Sequence, residues 1–261
     1  MKQYIEMMQK RYGPDYDSNP IYQMKVLGDF PDVSEDTLIP WQHIRAAINR
    51  NISIDAKRAY RRILGVDVAR FGQDITVLYG IDKQKINNQL MFKRIDCKWF
   101  SKKPLNYTAN QIIELDKQWH FNEIRIDAGG GDLGAGVVDM LRNSKISHKV
   151  VPFVAGGREG FNDEDSAYYL NWKSKAYDYL RMLFGQGRID IKDEGDLADQ
   201  LTLLRKDFTT GDKLKILDYD EELKSSDIKH KSPDFADALN IACAPLTEED
   251  VHVLDDEGLI F

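Results

Sequence analysis

The stretch Ile63–Ala69 reads I-L-G-V-D-V-A, an apolar run with one carboxylate, Asp67, inside it. Burying an unpaired charge is costly, so a strand core does not carry a lone Asp without a reason. Such a residue stands at the exposed end of a strand or binds a cation. The next run, Asp74–Gly80 (D-I-T-V-L-Y-G), is rich in β-branched and aromatic residues and reads as a second strand. Arg70-Phe71-Gly72-Gln73 between them is a short turn. The core is therefore expected to open with a hairpin that holds up one acidic residue, and the question is which other carboxylates meet it.

Residues 1–60 differ in character from the rest of the chain. Met1–Tyr12 has helical spacing and stops at Gly13-Pro14, Ile21–Phe30 reads as a strand or extended arm, and Trp41–Asn49 as a helix started by Pro40. Long apolar runs are few, so this segment is expected to pack on something else as an arm or linker. Over residues 45–62, Arg45, Arg50, Lys57, Arg58, Arg61 and Arg62 stand against Asp55 alone. They form a solvated face, or they contact phosphate or a neighbouring domain.

From Arg61 the pattern is α/β. Strands at 63–69 and 74–81, a turn over Lys83–Gln89 and an alternating run at Leu90–Phe100 suggest an antiparallel meander. The spacing predicts helices over Tyr107–Phe121, Val137–Arg142, Ser166–Phe184, Asp196–Arg205 and Ser232–Ala244. It predicts strands at Glu123–Asp127 and Lys149–Val154, and a hairpin over Asp207–Leu217 turning at Thr210–Lys213. Meander first and alternation afterwards imply a mixed sheet with helices on both faces, its functional groups gathered at strand carboxyl ends. The domain spans 61–245, and 246–261 is an acidic tail expected to be disordered.

Asp127 matches Asp67 in kind. Each ends or interrupts a short apolar strand, and glycine follows within a few residues, although an Asp after a strand is often only a turn residue. The third element is Lys231-Ser232-Pro233-Asp234-Phe235-Ala236-Asp237-Ala238-Leu239, with Ser232 a good N-cap and Pro233 suited to the first helical position. Asp234 and Asp237 lie three apart and share a helix face. The positive N-terminus of the helix accounts well for Asp234. It accounts less well for Asp237, which sits among Ala236, Ala238, Leu239, Ile241 and Ala242. Three carboxylates brought together repel one another unless cations lie between them, and oxygen ligands suit Mg²⁺ or Mn²⁺. Two such ions about 4 Å apart can activate a water and stabilise the leaving oxygen of a phosphodiester. The histidines are scattered and Cys97 and Cys243 lie far apart, so neither a zinc knuckle nor a disulfide scaffold is expected.

The segments G-V-D-V-A-R-F-G-Q-D, I-R-I-D-A-G-G-G-D-L-G-A-G-V-V-D and K-S-P-D-F-A-D-A-L resemble, in order and spacing, the C-terminal nuclease domain of large terminase subunits, the DNA-packaging motors of tailed bacteriophages. Arg11–Gly13, Val26–Pro31 and Leu38–Pro40 resemble the stretch joining that family's ATPase and nuclease domains. The likeness runs over about residues 10–244. It implies an RNase H-like fold with a five-stranded type of mixed sheet, plus the additional hairpin near 207–217. It implies a two-metal endonuclease that cuts concatemeric double-stranded viral DNA in the host cell cytoplasm, with the small terminase subunit, the portal protein and the terminase ATPase domain as partners. By matching positions, Asp67, Asp127 and Asp234 are the catalytic and metal-binding acids for two Mg²⁺ or Mn²⁺ ions, and Asp237 is auxiliary. One departure stands out: no G-x-x-x-x-G-K-[ST] phosphate loop occurs in the chain, so a nuclease fragment or separately encoded half is expected, unable to translocate DNA alone.

Other readings stay open. The glycines at Gly129–Gly136 could cradle phosphates, as in actin-like or sugar-kinase-like ATP-binding phosphotransferases. They could instead pack against a substrate strand or form a plain flexible loop. A junction-resolving nuclease of the same fold is a nearer rival, and a non-catalytic portal-docking module a third. Candidate DNA contacts are Lys213, Lys215, Lys229, Lys231 and Arg70, set among as many acids, so a mixed solvated surface competes with that role. The net charge of −7 excludes little, because the tail alone carries −6. No apolar run approaches the ~20 residues of a membrane span and the N-terminus lacks a signal peptide's apolar core, so no membrane partner is expected.

Overall fold

The computed structural model describes residues 36–69, 74–129, 132–217 and 232–246. The expected helix at Met1–Tyr12, the segment Ile21–Phe30, Arg70, Lys229, Lys231, His230 and the tail beyond Leu246 lie outside them.

The chain enters through helix α1 (Trp41–Ile48), which begins directly after Pro40. Strand β1 (Arg61–Asp67) pairs antiparallel with β2 (Thr76–Ile86), and β2 pairs antiparallel with β3 (Gln89–Phe100). The meander is as expected, but its second turn is tighter than Lys83–Gln89. Asn87 and Asn88 take φ of 51° and 66°, so two residues suffice and β2 runs on to Ile86. Asn tolerates that left-handed backbone better than other side-chain-bearing residues do. Helix α2 (Leu105–Trp119) then returns the chain to β4 (Glu123–Asp127), parallel to β1, and α3 (Asp132–Leu141) leads to β5 (Val150–Phe153), parallel to β4.

The predicted helix Ser166–Phe184 is two helices, α4 (Asp163–Tyr168) and α5 (Trp172–Gly185). Asn162 and Asn171 each accept a hydrogen bond from the backbone N–H three residues on, so each starts its own helix. Next comes β6 (Ile189–Asp190), parallel to β3 and too short to leave a sequence signal. It makes the sheet six-stranded, in the order β5-β4-β1-β2-β3-β6. Helix α6 (Leu197–Leu203) and a separate hairpin, β7 (Arg205–Phe208) with β8 (Leu214–Leu217), precede the last helix, α7 (Asp234–Cys243).

Alternation sorts the strand residues onto two faces. Leu64 and Val66 of β1, Leu78 of β2, and Ile124 and Ile126 of β4 pack with Ile112 and Leu115 of α2 and Val137 and Leu141 of α3. On the other face Ile63, Val77, Tyr79, Ile81 and Phe92 pack with α1, α5, α6 and α7. Leu38, Ile39, Ile44 and Ala47 are buried in this second layer, so residues 36–52 complete the core of the same body. Four of the six basic residues over 45–62 are engaged locally. Arg62 holds Asp82 at 2.7 Å and the Trp119 carbonyl, Arg61 reaches Glu123, Arg58 pairs with Asp55, and Arg50 donates to the Ile189 carbonyl.

Candidate active site

Two of the three expected acids are set side by side by register. Val66 stands opposite Ile126 in the parallel β1–β4 pair, so Asp67 and Asp127 are the next residues on neighbouring strands. Their backbones run about 4.8 Å apart. Both have the parity of Gly65 and Arg125, which face α7, so both carboxylates leave the sheet on the α7 side at its carboxyl end.

Helix α7 is seated on that face at two points. A Cβ at Gly65 would stand 2.2 Å from the Ala238 carbonyl and 2.6 Å from the Ala242 N, so the helix backbone rests on β1 where only glycine leaves room. Beside it the fully buried Arg125 donates from Nη1 to the carbonyls of Ile241, Ala242 and Ala244, capping the C-terminus of α7, while its Nε pairs with Glu123. With Ala238 over Gly65, the preceding turn carries Asp234 towards the Asp67 end of the strand. Pro233 is the N-cap and Asp234 the first helical residue, one position later than the sequence suggested. Asp234 does not cap its own helix by accepting from the turn above it. Its Oδ2 accepts from the backbone N of Ile75 at 3.0 Å, which ties α7 to the start of β2.

Electrostatics show that these acids share one field. The Asp67 carboxyl is held well above the ordinary range, first by desolvation and then by the charges of Asp237, Asp234 and Asp127, with Lys173 opposing. Burial raises Asp127 too, against backbone hydrogen bonds from Gly129 and Ala155. Burial pushes Asp234 up to about 6, against its hydrogen bonds with Ile75 and Ser232 and with Asp74 and Asp237 adding repulsion. Asp237 is held on its own side: the Tyr177 hydroxyl donates to its Oδ1 at 2.7 Å, and the Lys173 ammonium lies 3.4 Å away. The structure therefore brings Asp67, Asp127, Asp234 and Asp237 together. Among the described residues, no three acidic, histidine or cysteine side chains form a ready-made metal-ligand group. The donor set is nevertheless all oxygen, and each raised carboxyl marks negative charge that a hard cation would relieve.

Lys173, Tyr177 and Asp74 were not singled out from the sequence as site residues. Lys173 and Tyr177 lie four apart on α5 and so share a face, yet nothing local says that this face meets the acids. Two glycines after Asp127 meet this chain's own backbone: a Cβ at Gly134 would strike the Asp127 carbonyl, and one at Gly129 would crowd Ala155. Of the lysines proposed for DNA, Lys213 donates to the Ser166 carbonyl at 2.6 Å and Lys215 lies 3.8 Å from Asp207, so both brace the β7–β8 hairpin.

No family model matches the chain, and no curated protein does. Solved structures do. The nuclease domain of the large terminase subunit gp2 of bacterial virus Sf6, a mutant form with manganese and β-thujaplicinol, superposes with a TM-score of 0.61 at 15% identity, covering 79% of this chain and 98% of that one. The large terminase nuclease from thermophilic phage G20c with bound magnesium gives 0.53 at 13% identity, covering 80% and 97%. The large terminase of bacteriophage HK97 gives 0.51 at 12% identity, covering 80% of this chain but 43% of that one. Six strands in mixed order, helices on both faces and near-complete coverage of the Sf6 and G20c domains lead to one conclusion: this chain has the RNase H-like fold of the phage large-terminase nuclease domains.

Proposed function

We propose that the chain is a divalent-metal-dependent endonuclease of double-stranded DNA, the nuclease part of a phage genome-packaging terminase that cuts concatemeric DNA in the host cell. The observation that carries this reading is the convergence of Asp67, Asp127 and Asp234 from the ends of two parallel strands and the start of one helix, in a setting that raises all three carboxyls. The manganese and magnesium in the Sf6 and G20c nuclease structures support the same choice of ion. An ATPase domain, the small terminase subunit and the portal protein are the partners this role would require.

In this reading Asp67, Asp127 and Asp234 would hold two Mg²⁺ or Mn²⁺ ions, with Asp67 central. Bound there, the ions would activate a water and stabilise the leaving oxygen of a phosphodiester. The remaining work falls to the chain. Gly129 fixes one oxygen of Asp127 at 2.9 Å and Ile75 fixes one of Asp234, so these carboxylates are aimed before substrate arrives. Tyr177 and Lys173 hold Asp237, and the Lys173 ammonium offsets part of the negative charge that would otherwise repel a phosphate.

Supercoiled plasmid incubated with the protein and Mn²⁺ should be nicked and linearised with little sequence preference, and EDTA should stop it. Intact plasmid in Mn²⁺ and Mg²⁺, or unchanged cutting in EDTA, would overturn the proposal.

A further inference from the structure

A second surface lies at the same end of the sheet. Asp67 pairs with Val77, and Val77 pairs with Trp99, so the three form one row across β1, β2 and β3 and share the α7 face. Trp99 meets Phe235, the residue after Asp234, edge-on at 5.4 Å between ring centroids. Even so, 48% of Trp99 remains exposed, unusual for the largest apolar side chain. Two strand spacings put its backbone about 10 Å from that of Asp67.

The chain then turns from β3 into α2 through Ser101-Lys102-Lys103-Pro104, all exposed. From Lys98 to Gln111 no acidic residue occurs. Among the described residues Lys98, Lys102 and Lys103 make no ion pair, and the Lys103 ammonium sits 5.3 Å over the Tyr107 ring. Helix α2 starts at this turn with no side-chain cap and no acid in its first turn, so its dipole adds to the positive potential. Lys213 and Lys215 contrast with this, because their ammonium groups are already used within the protein.

We propose that Trp99, Lys102 and Lys103 form a duplex-DNA docking surface that positions the strand to be cut across the carboxylates. This rests on the endonuclease reading. Free ammonium groups beside an acidic centre recover the attraction that the acids deny to a polyanion. The partly exposed indole offers an apolar plate to the sugars, its edge braced on the helix that carries Asp234. The ~10 Å offset corresponds to about three base pairs at 3.4 Å each, so the turn holds phosphates flanking the one attacked.

The test uses the full chain, a mixed-sequence 30-base-pair duplex, Mn²⁺ for cleavage and Ca²⁺ for binding by fluorescence anisotropy across a salt series. The double variant Lys102→Ala/Lys103→Ala should raise KM about tenfold with kcat within twofold. It should also lower the slope of log affinity against log salt by about 2, near 0.9 per lost phosphate contact. Trp99→Ala should raise KM without changing that slope. Lys117→Ala, at the far end of α2 and paired with Glu114, should change neither. Wild-type cleavage together with an unchanged KM and slope in the double variant would overturn the surface. If the wild type fails to cut, the endonuclease reading falls instead, and the binding slopes still decide the surface by the same criterion. Melting temperatures within 2 °C of wild type exclude a folding defect as the cause.

Discussion

The two ends of the central sheet treat acidic residues in opposite ways. At the end where β1 and β4 begin, three buried acids each have a cation, Asp82 with Arg62, Glu123 with Arg61 and Arg125, and Asp116 with Lys149 at 2.9 Å, while a fourth, Asp190, accepts from the backbone N–H of Ile52. At the end where the same strands finish, burial raises the carboxyls of Asp67, Asp127 and Asp234, the charge of Asp237 adds to all three, and Asp127 and Asp234 add to Asp67. The first end has the charge balance of a structural element. The second carries a standing electrostatic cost that folding does not require, as expected where a site waits for a ligand of opposite charge.

Neutralising an acid at each end tests the contrast. Asp67→Asn should lower the rate of plasmid cleavage by at least about a thousandfold, because a misheld metal forfeits several kcal/mol of transition-state stabilisation. The same variant, freed of ions by EDTA, should melt at or above the wild-type temperature, since it removes a repelling charge. A melting temperature well below wild type would place Asp67 among the structural acids and erase the distinction between the two ends.

Removing a cation from the balanced end should do the reverse. Arg125→Leu keeps the apolar stem but strips Glu123 of its buried partner and leaves three carbonyls of α7 uncapped. Breaking such a buried pair costs about 3–5 kcal/mol, to be read from urea or thermal unfolding. Cleavage should also fall, because Arg125 seats the helix that carries Asp234. Stability within 1 kcal/mol of wild type would show that this end is not held by its ion pairs.

The smallest effect is a matter of pH. Asp234 titrates near 6 in the folded protein, above the ordinary value of an Asp. Its folded form binds the proton more tightly than its unfolded form, so the ion-free protein is favoured below about pH 4 and loses that contribution as pH rises through 6. Melting temperatures of wild type and Asp234→Asn, compared from pH 4 to 8 in EDTA, should move apart in favour of the variant by a few degrees across that window. Mg²⁺ or Mn²⁺ at pH 7.5 should raise the wild type more than the variant. Parallel pH curves would mean that Asp234 lies outside the repelling cluster.

Much of this was legible locally. Asp67 interrupts an apolar run, Asp127 ends the E-I-R-I-D strand at the residues expected, and Asp234 opens a helix whose alanines allow close approach to the sheet. Each is a statement about a few neighbouring residues. The two-residue β6, the break at Asn171 and the tight Asn87–Asn88 turn escaped, because each is shorter than the repeat that would reveal it.

What the sequence by itself determined was the kind of fold, from its periods of two and 3.6, and which acids stand out along the chain, from charges that an apolar setting does not tolerate singly. What only the tertiary structure decided was which cations answer which acids. Lys173 and Lys213 look alike along the chain, yet one reaches the carboxylate cluster and the other braces a hairpin. Trp99 carries no mark along the chain until the row from Asp67 through Val77 sets it at the same end of the sheet, three residues before Lys102. The physical reason is reach. Backbone periodicity acts over a few residues, whereas charges act through space over about 10 Å, between groups that only the closed sheet and the seating of α7 on Gly65 bring near.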